Sequence, residues 1–173
     1  MNVQTNSQRL FFALWPDDKT RKAIASVVKQ ASQHHRGNSI RTDNLHLTLA
    51  FLGNVNLMQR ECVEALAESM SITPFSLCLD HLGVFPRPKV LWLGVKEKPD
   101  ALKQLATRLG KGARDCGIKL DGKGFNPHVT LMRKVSKLNE FQVEPIYWNV
   151  DQFCLVQSIS HPEGVEYQVV KRW

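Results

Sequence analysis

His46-Leu47-Thr48-Leu49 returns 82 positions later as His128-Val129-Thr130-Leu131. In a β-strand residues i and i+2 share a face, so each string, read as a strand, turns one imidazole and one hydroxyl one way and two apolar side chains toward a core. With six His and seven Thr in 173 residues, and 43% of positions hydrophobic, template counting gives roughly 0.05 such tetrapeptides per chain. Two copies point to a duplicated half-site rather than to chance.

The flanks repeat as well. Arg9–Leu14 matches Val90–Val95, and Pro16-Asp17 matches Pro99-Asp100 at a spacing of 83, which suits the opening of a helix. The first helix carries Ile24, Val27, Val28 and Ala31 and the second Leu102, Leu105, Ala106 and Leu109. Both follow i, i+3, i+4, i+7, the buried stripe of a surface helix. Each half therefore reads strand, helix, His-Thr strand.

Asn56 suits the N-cap of a third helix with its stripe at Val63, Leu66, Ala67 and Met70. A strand is predicted over Phe75–Leu82. Pro86-Arg87-Pro88 reads as an irregular connection into the second half, because a Pro pair does not fit a central strand. Val150–Ser158 and Val165–Lys171 read as strands, joined by a hairpin loop at His161-Pro162-Glu163-Gly164. Lobes of about 80 residues are small by domain standards. The expectation is one domain over residues 1–173, built of lobes at about 1–85 and 86–173 that share one body and are free to exchange terminal strands, with the site in the cleft between them.

The apolar run Leu10–Trp15 is short and is followed at once by Pro16 and charged residues, unlike a signal peptide or a spanning helix. The expectation is a soluble, cytoplasmic protein. Cys62, Cys78, Cys116 and Cys154 are widely spread with no CxxC pair, the pattern of reduced thiols. The net charge of +7 favours an anionic partner, RNA or a phosphorylated nucleotide, over a membrane.

Two imidazoles facing one point suit acid–base chemistry near neutral pH. In an in-line displacement at phosphorus the attacking and leaving oxygens lie on opposite sides, so a His from each half can serve one of them. Thr48 and Thr130 can then donate hydrogen bonds to the non-bridging oxygens.

Asn44-Leu45-His46-Leu47-Thr48-Leu49-Ala50-Phe51-Leu52-Gly53 and Phe125-Asn126-Pro127-His128-Val129-Thr130-Leu131-Met132-Arg133 resemble the two signatures of the 2H phosphoesterase superfamily. The Arg-Leu-Phe-Phe-Ala-Leu opening at Arg9 also matches, and along nearly its whole length the chain resembles the RNA 2′,3′-cyclic phosphodiesterases, also called 2′-5′ RNA ligases. The resemblance implies an α+β, bilobal, pseudo-twofold fold, with two antiparallel sheets lining a central cleft and helices outside. It implies hydrolysis of a 2′,3′-cyclic phosphate to a 2′-phosphomonoester without metal or other cofactor, reversible 2′-5′ RNA joining, and an RNA substrate. It assigns catalysis to His46 and His128 and the phosphate to Thr48 and Thr130; expulsion of the 3′ oxygen, which the resemblance favours, makes His46 the proton donor and His128 the proton acceptor, while the near-symmetry of the halves leaves the swap open. Arg133 is implied in substrate binding and Phe51 in base stacking. Both lie five residues after their His, on the opposite parity of an ideal strand, so either reaches the cleft only if the strand ends or bends near Met132 or Ala50.

Other candidates read as structural. His34 and His35 suit solvated positions late in a helix, His81 a strand, His161 a turn. Trp15, Trp92, Trp148 and Trp173 are spaced like core and edge residues. Arg41, Arg87, Lys89, Lys123 and Lys134 are candidates to line an RNA entrance, though each taken singly reads as solvated surface. A zinc enzyme is the first rival, but each motif offers one His and a Thr, a poor zinc ligand. A non-catalytic RNA-binding module explains the charge and leaves the repeated pair unexplained. Within the superfamily, 2′-5′ oligonucleotides and ADP-ribose cyclic phosphate are alternative substrates, since loops choose the substrate. The site is complete in one chain, so a monomer is expected.

Overall fold

The computed structural model describes residues 7–173. In chain order the elements are β1 (Gln8–Leu14), α1 (Asp18–His34), β2 (Asn38–Ser39), a 3₁₀ turn (Thr42–Asn44), β3 (Leu47–Val55), α2 (Leu57–Glu68), β4 (Phe75–Leu79), β5 (His81–Phe85), β6 (Val90–Gly94), α3 (Asp100–Asp115), β7 (His128–Arg133), β8 (Ile146–Val150), β9 (Cys154–His161) and β10 (Gly164–Arg172). The α+β class and the antiparallel pairing are as expected.

Local chemistry sets the helix starts. Asp17 caps α1, its carboxylate accepting from the Thr20 amide at 2.7 Å. Asn56 caps α2 in a reciprocal box with Gln59, at 2.9 and 3.1 Å, which satisfies two donors a helix start leaves open. The stripes of α1 and α3 are buried at the residues their periodicity picked out. Each such Leu or Ile contributes about 1.5–3 kcal/mol relative to exposure. In α2 only Val63 and Ala67 of the helix are buried, and Met70 lies beyond its end.

Eight strands form one sheet in the order β10-β9-β1-β3-β7-β6-β5, with β2 on β7, and β4 and β8 form a separate ribbon. The C-terminal hairpin joins β1, so the chain's last strands complete the half that its first strand begins. Helix α1 packs against β7 and α3 against β3, each helix covering the His strand of the other half. One sheet face holds the core, with Leu10, Phe12, Leu14, Leu47, Leu49, Val129 and Leu131 buried under the helices. The other face carries a smaller apolar cluster of Phe11, Ala13, Cys154 and Val156, flanked by Trp15 and Tyr167.

Three sequence expectations are corrected. The single strand Phe75–Leu82 is split at Asp80, whose amide bonds Gly94 O and whose carboxylate accepts from Lys96 N, so β4 enters the ribbon and β5 the large sheet. The proposed strand Val150–Ser158 likewise breaks after Val150, between β8 and β9. Pro86-Arg87-Pro88 forms the tip of the β5–β6 hairpin rather than a link between halves.

The cysteines differ too. Cys62 of α2 and Cys116 after α3 form a disulfide, with Cα atoms 5.8 Å apart, leaving Cys78 and Cys154 free. The helices come this close because Gly112 has no Cβ, which would run into the Leu66 side chain. With the partners 54 positions apart, no local pattern announces the pair. Among the described residues no helix is long and apolar enough to cross a membrane.

Candidate active site

The two His-Thr strands meet at one ladder pair, Leu47 of β3 with Val129 of β7. Both side chains are fully buried on the core face. Alternation then turns His46, Thr48, His128 and Thr130 to the opposite face. The residues on either side of this pair are His46 and Thr48 on one strand and His128 and Thr130 on the other. The two histidines are near enough for a charge on His128 to act on His46. The repeated tetrapeptide therefore closes on itself at its own apolar residues, and four polar groups converge over the seam.

Strand bulges decide how the chain runs on from each motif. On β1 the partner changes from Ala13↔Thr48 to Phe12↔Ala50, which leaves Leu49 as an extra residue. On β6 it changes from Trp92↔Thr130 to Leu91↔Met132, which leaves Leu131 extra. An extra residue reverses the parity of the strand beyond it. Phe51 thus pairs with Phe11 and stacks beside it (6.2 Å, 14°) on the His46 face, 45% exposed. Arg133 pairs with Val90, in step with Trp92↔Thr130 and Gly94↔His128, and stands exposed on the His128 face.

Both imidazoles are anchored alike. His46 Nδ1 lies 2.6 Å from Asn44 O, and His128 Nδ1 2.7 Å from Asn126 O. A carbonyl only accepts, so each Nδ1 carries the proton and each neutral ring leaves Nε2 as the acceptor. His46 Nε2 accepts from the Thr48 hydroxyl at 3.1 Å. Asn44 is tied in turn to Val165 O through its side-chain amide at 2.8 Å.

Burial pulls the His46 pKa down to about 4; the Asn44 carbonyl opposes this, while His128, Arg133 and Arg21 add to it. Burial also lowers the His128 pKa, against the Asn126 carbonyl. In the free protein both rings are therefore neutral at pH 7. An anionic phosphate between them would restore the charged form by Coulomb attraction.

Residues that the sequence reading passed over also stand at the site. Trp15 lies flat on His46, Phe11 and Tyr167 flank it, and Phe85 and Trp92 flank His128. Trp148 and Trp173 do occupy core and edge positions, but Trp15 and Trp92 do not belong with them. Their alternation with the His strands shows only once β1 and β6 are paired. His35 is buried, its Nδ1–H donating to Ala31 O and its Nε2 accepting from Asn139 N, rather than solvated. His34 stacks on Phe141, His81 meets the edge of Trp92, and His161 pairs with Glu166. Arg41, Arg87, Lys89, Lys123 and Lys134 are exposed. Among the described residues no three His, Cys, Asp or Glu side chains come together as a metal ligand set.

Residues 16–161 match the sequence pattern of the 2′-5′ RNA ligase superfamily. The chain is 34% identical over 168 residues to the RNA 2′,3′-cyclic phosphodiesterase of Escherichia coli, covering 96% of each chain. It is 30% identical over 171 residues to the protein of that name from Archaeoglobus fulgidus, covering 92% of this chain and 96% of the other. The crystal structure of Escherichia coli LigT complexed with 3′-AMP superposes with a TM-score of 0.87 at 33% identity, over 97% of this chain and 98% of that one.

Proposed function

Because the chain belongs to the 2′-5′ RNA ligase superfamily, we propose that it hydrolyses the 2′,3′-cyclic phosphodiester at RNA ends to a 2′-phosphomonoester, with His46 as proton donor and His128 as proton acceptor. The observation that supports the reading is the Leu47↔Val129 pair, beside which two imidazoles with the same tautomer share one sheet face.

His128 Nε2 takes a proton from water as its oxygen forms a bond to phosphorus. The P–O3′ bond breaks, and His46 Nε2 gives its proton to O3′. The product is a 2′-phosphate with a free 3′-hydroxyl, and proton exchange with solvent resets both rings. Thr48 and Thr130 donate to the non-bridging oxygens, Thr48 by releasing its bond to His46. Arg133 supplies a fork for a phosphate oxygen and Phe51 an exposed ring for a base.

The same geometry admits an RNA 5′-hydroxyl in place of water, which yields a 2′-5′ linkage. One chain carries both half-sites, so a monomer suffices. The test is a panel of 2′,3′-cyclic nucleotides and RNA ends assayed in excess EDTA, with the product's phosphate position read by NMR. Turnover to the 2′-phosphate is expected. RNA binding without turnover would favour the binding-module reading, and activity that vanishes with EDTA and returns with zinc would overturn the two-histidine mechanism.

A further inference from the structure

The duplicated motif makes His46 and His128 look interchangeable, but their surroundings are not. Trp15 lies 12° from parallel with the His46 ring at a centroid distance of 5.6 Å. Phe11 adds a second tilted face at 4.9 Å and 34°. Around His128, Phe85 meets the ring at 82° and Trp92 at 57°. The difference is written in the repeat: Pro16-Asp17 corresponds to Pro99-Asp100, so the counterpart of Trp15 is Lys98, which is exposed.

Trp15 is itself held. Arg21 Cζ lies 5.4 Å from the indole centroid, and its guanidinium donates to Pro16 O, Thr42 O and Leu45 O at 3.1, 2.9 and 3.4 Å. One side chain thus pins the residue after Trp15 and the residue before His46.

A proton donor has to be charged before it can donate, and most of what faces His46 resists that. Arg21 on α1, and His128 and Arg133 on β7, oppose a positive ring, as does burial. Arg172 on β10 acts on Arg21 with the same sign. Tyr167 on β10 and Thr48 on β3 also face the ring. On the other side stand the Asn44 carbonyl and the aromatic faces. A cation over an indole face is attracted by its quadrupole, and a neutral imidazole much less.

We propose that Trp15 is a positioning residue for proton transfer: its indole face, held flat by Arg21, favours the imidazolium form of His46 against the burial and the cations that resist it, and so serves the part of His46 as proton donor. The inference rests on the proposed hydrolysis, in which O3′ must be protonated as it departs.

Trp15 also shields His46 from water, which pushes the other way, so the test has to change the π face without changing the shape. Site-specific replacement of Trp15 by mono-, di- and trifluorotryptophan does this, since fluorine withdraws density from the ring face. His46 and His128 are titrated by NMR with inorganic phosphate present. The His46 pKa should fall stepwise, by about one unit across the series, while that of His128 stays put. Turnover of a 2′,3′-cyclic phosphate above pH 7 should fall in parallel, up to about tenfold. A substrate with sulfur at the 3′ bridging position, whose thiolate leaves without a proton, should be unaffected. Trp15→Leu should act in the same direction and Trp15→Phe should restore most of the effect. A His46 pKa that is constant or rises along the series overturns the proposal, as does a falling pKa with unchanged kcat. Failure of the sulfur substrate to rescue His46→Ala would instead remove the donor reading beneath it.

Discussion

Phe51 and Arg133 hold the same position in the two halves. Each stands fifth after its histidine, and each is turned to the histidine face by one extra residue, Leu49 in β3 and Leu131 in β7. The duplication thus preserves a bulge while the side chain it aims has diverged, an aromatic on one side of the seam and a guanidinium on the other.

That divergence predicts separable effects. Phe51→Ala should raise KM for nucleotide substrates roughly 5- to 150-fold, the scale of one base–aromatic stack, with kcat nearly kept. Arg133→Met should also weaken binding and should flatten its dependence on salt, because it removes a phosphate contact. Steady-state kinetics at two ionic strengths checks both; equal salt slopes in wild type and Arg133→Met would exclude the phosphate contact.

His46→Ala and His128→Ala should each lose roughly 10²-fold or more in kcat, with circular dichroism unchanged. Thr48→Val and Thr130→Val should lose less, and His81→Ala little, since His81 touches Trp92 rather than either imidazole. The double His variant should be hardly worse than the worse single one, because paired groups act as a unit. Near-normal turnover by either single variant would sink the mechanism.

Both imidazole pKa values are depressed, His46 to about 4. The pH profile of kcat/KM, which reports the free protein, should therefore peak below pH 6.5. That of kcat should peak at higher pH, because the bound phosphate raises both. A folded pKa below the unfolded 6.5 means that the unfolded chain binds more protons. The stability contribution is then present above pH 6.5 and lost as pH falls toward about 4. Thermal melts of wild type and His46→Gln across pH 4–7 should converge at the acid end; parallel curves would contradict the depressed pKa.

Thiol titration of the unreduced protein in denaturant should find two free cysteines, Cys78 and Cys154, rather than four. Closing a loop of 54 residues constrains the unfolded chain by about 4 kcal/mol in the loop-entropy treatment. Reduction should lower Tm and leave kcat near normal, because Cys116 packs against the core cluster, on the sheet face opposite the two imidazoles. Four reactive thiols would remove the bridge.

Much of this architecture is legible in the chain because its signals are local. The i, i+2 parity puts His46 with Thr48 and His128 with Thr130 without any partner strand, and a 3.6-residue period places Ile24 or Leu105 on a buried stripe. Asn56 and Gln59 are close enough to cap a helix by themselves. The same parity rule misdirects Phe51 and Arg133, since a bulge belongs to a pair of strands and one strand read alone does not display it. The break at Asp80 escapes for a similar reason: it arises from a bond to Gly94, across the β5–β6 hairpin.

By itself, then, the sequence determined the duplicated half-site, its four polar groups, the helix stripes and the kind of chemistry two imidazoles can perform. Only the tertiary structure decided that Leu47 meets Val129, that bulges aim Phe51 and Arg133, that Cys62 reaches Cys116 and that Trp15 lies flat on His46. The reason is range: parity and periodicity are properties of one backbone segment, while register, bulges and cross-element contacts join residues tens of positions apart, and those are chosen by how the whole core packs.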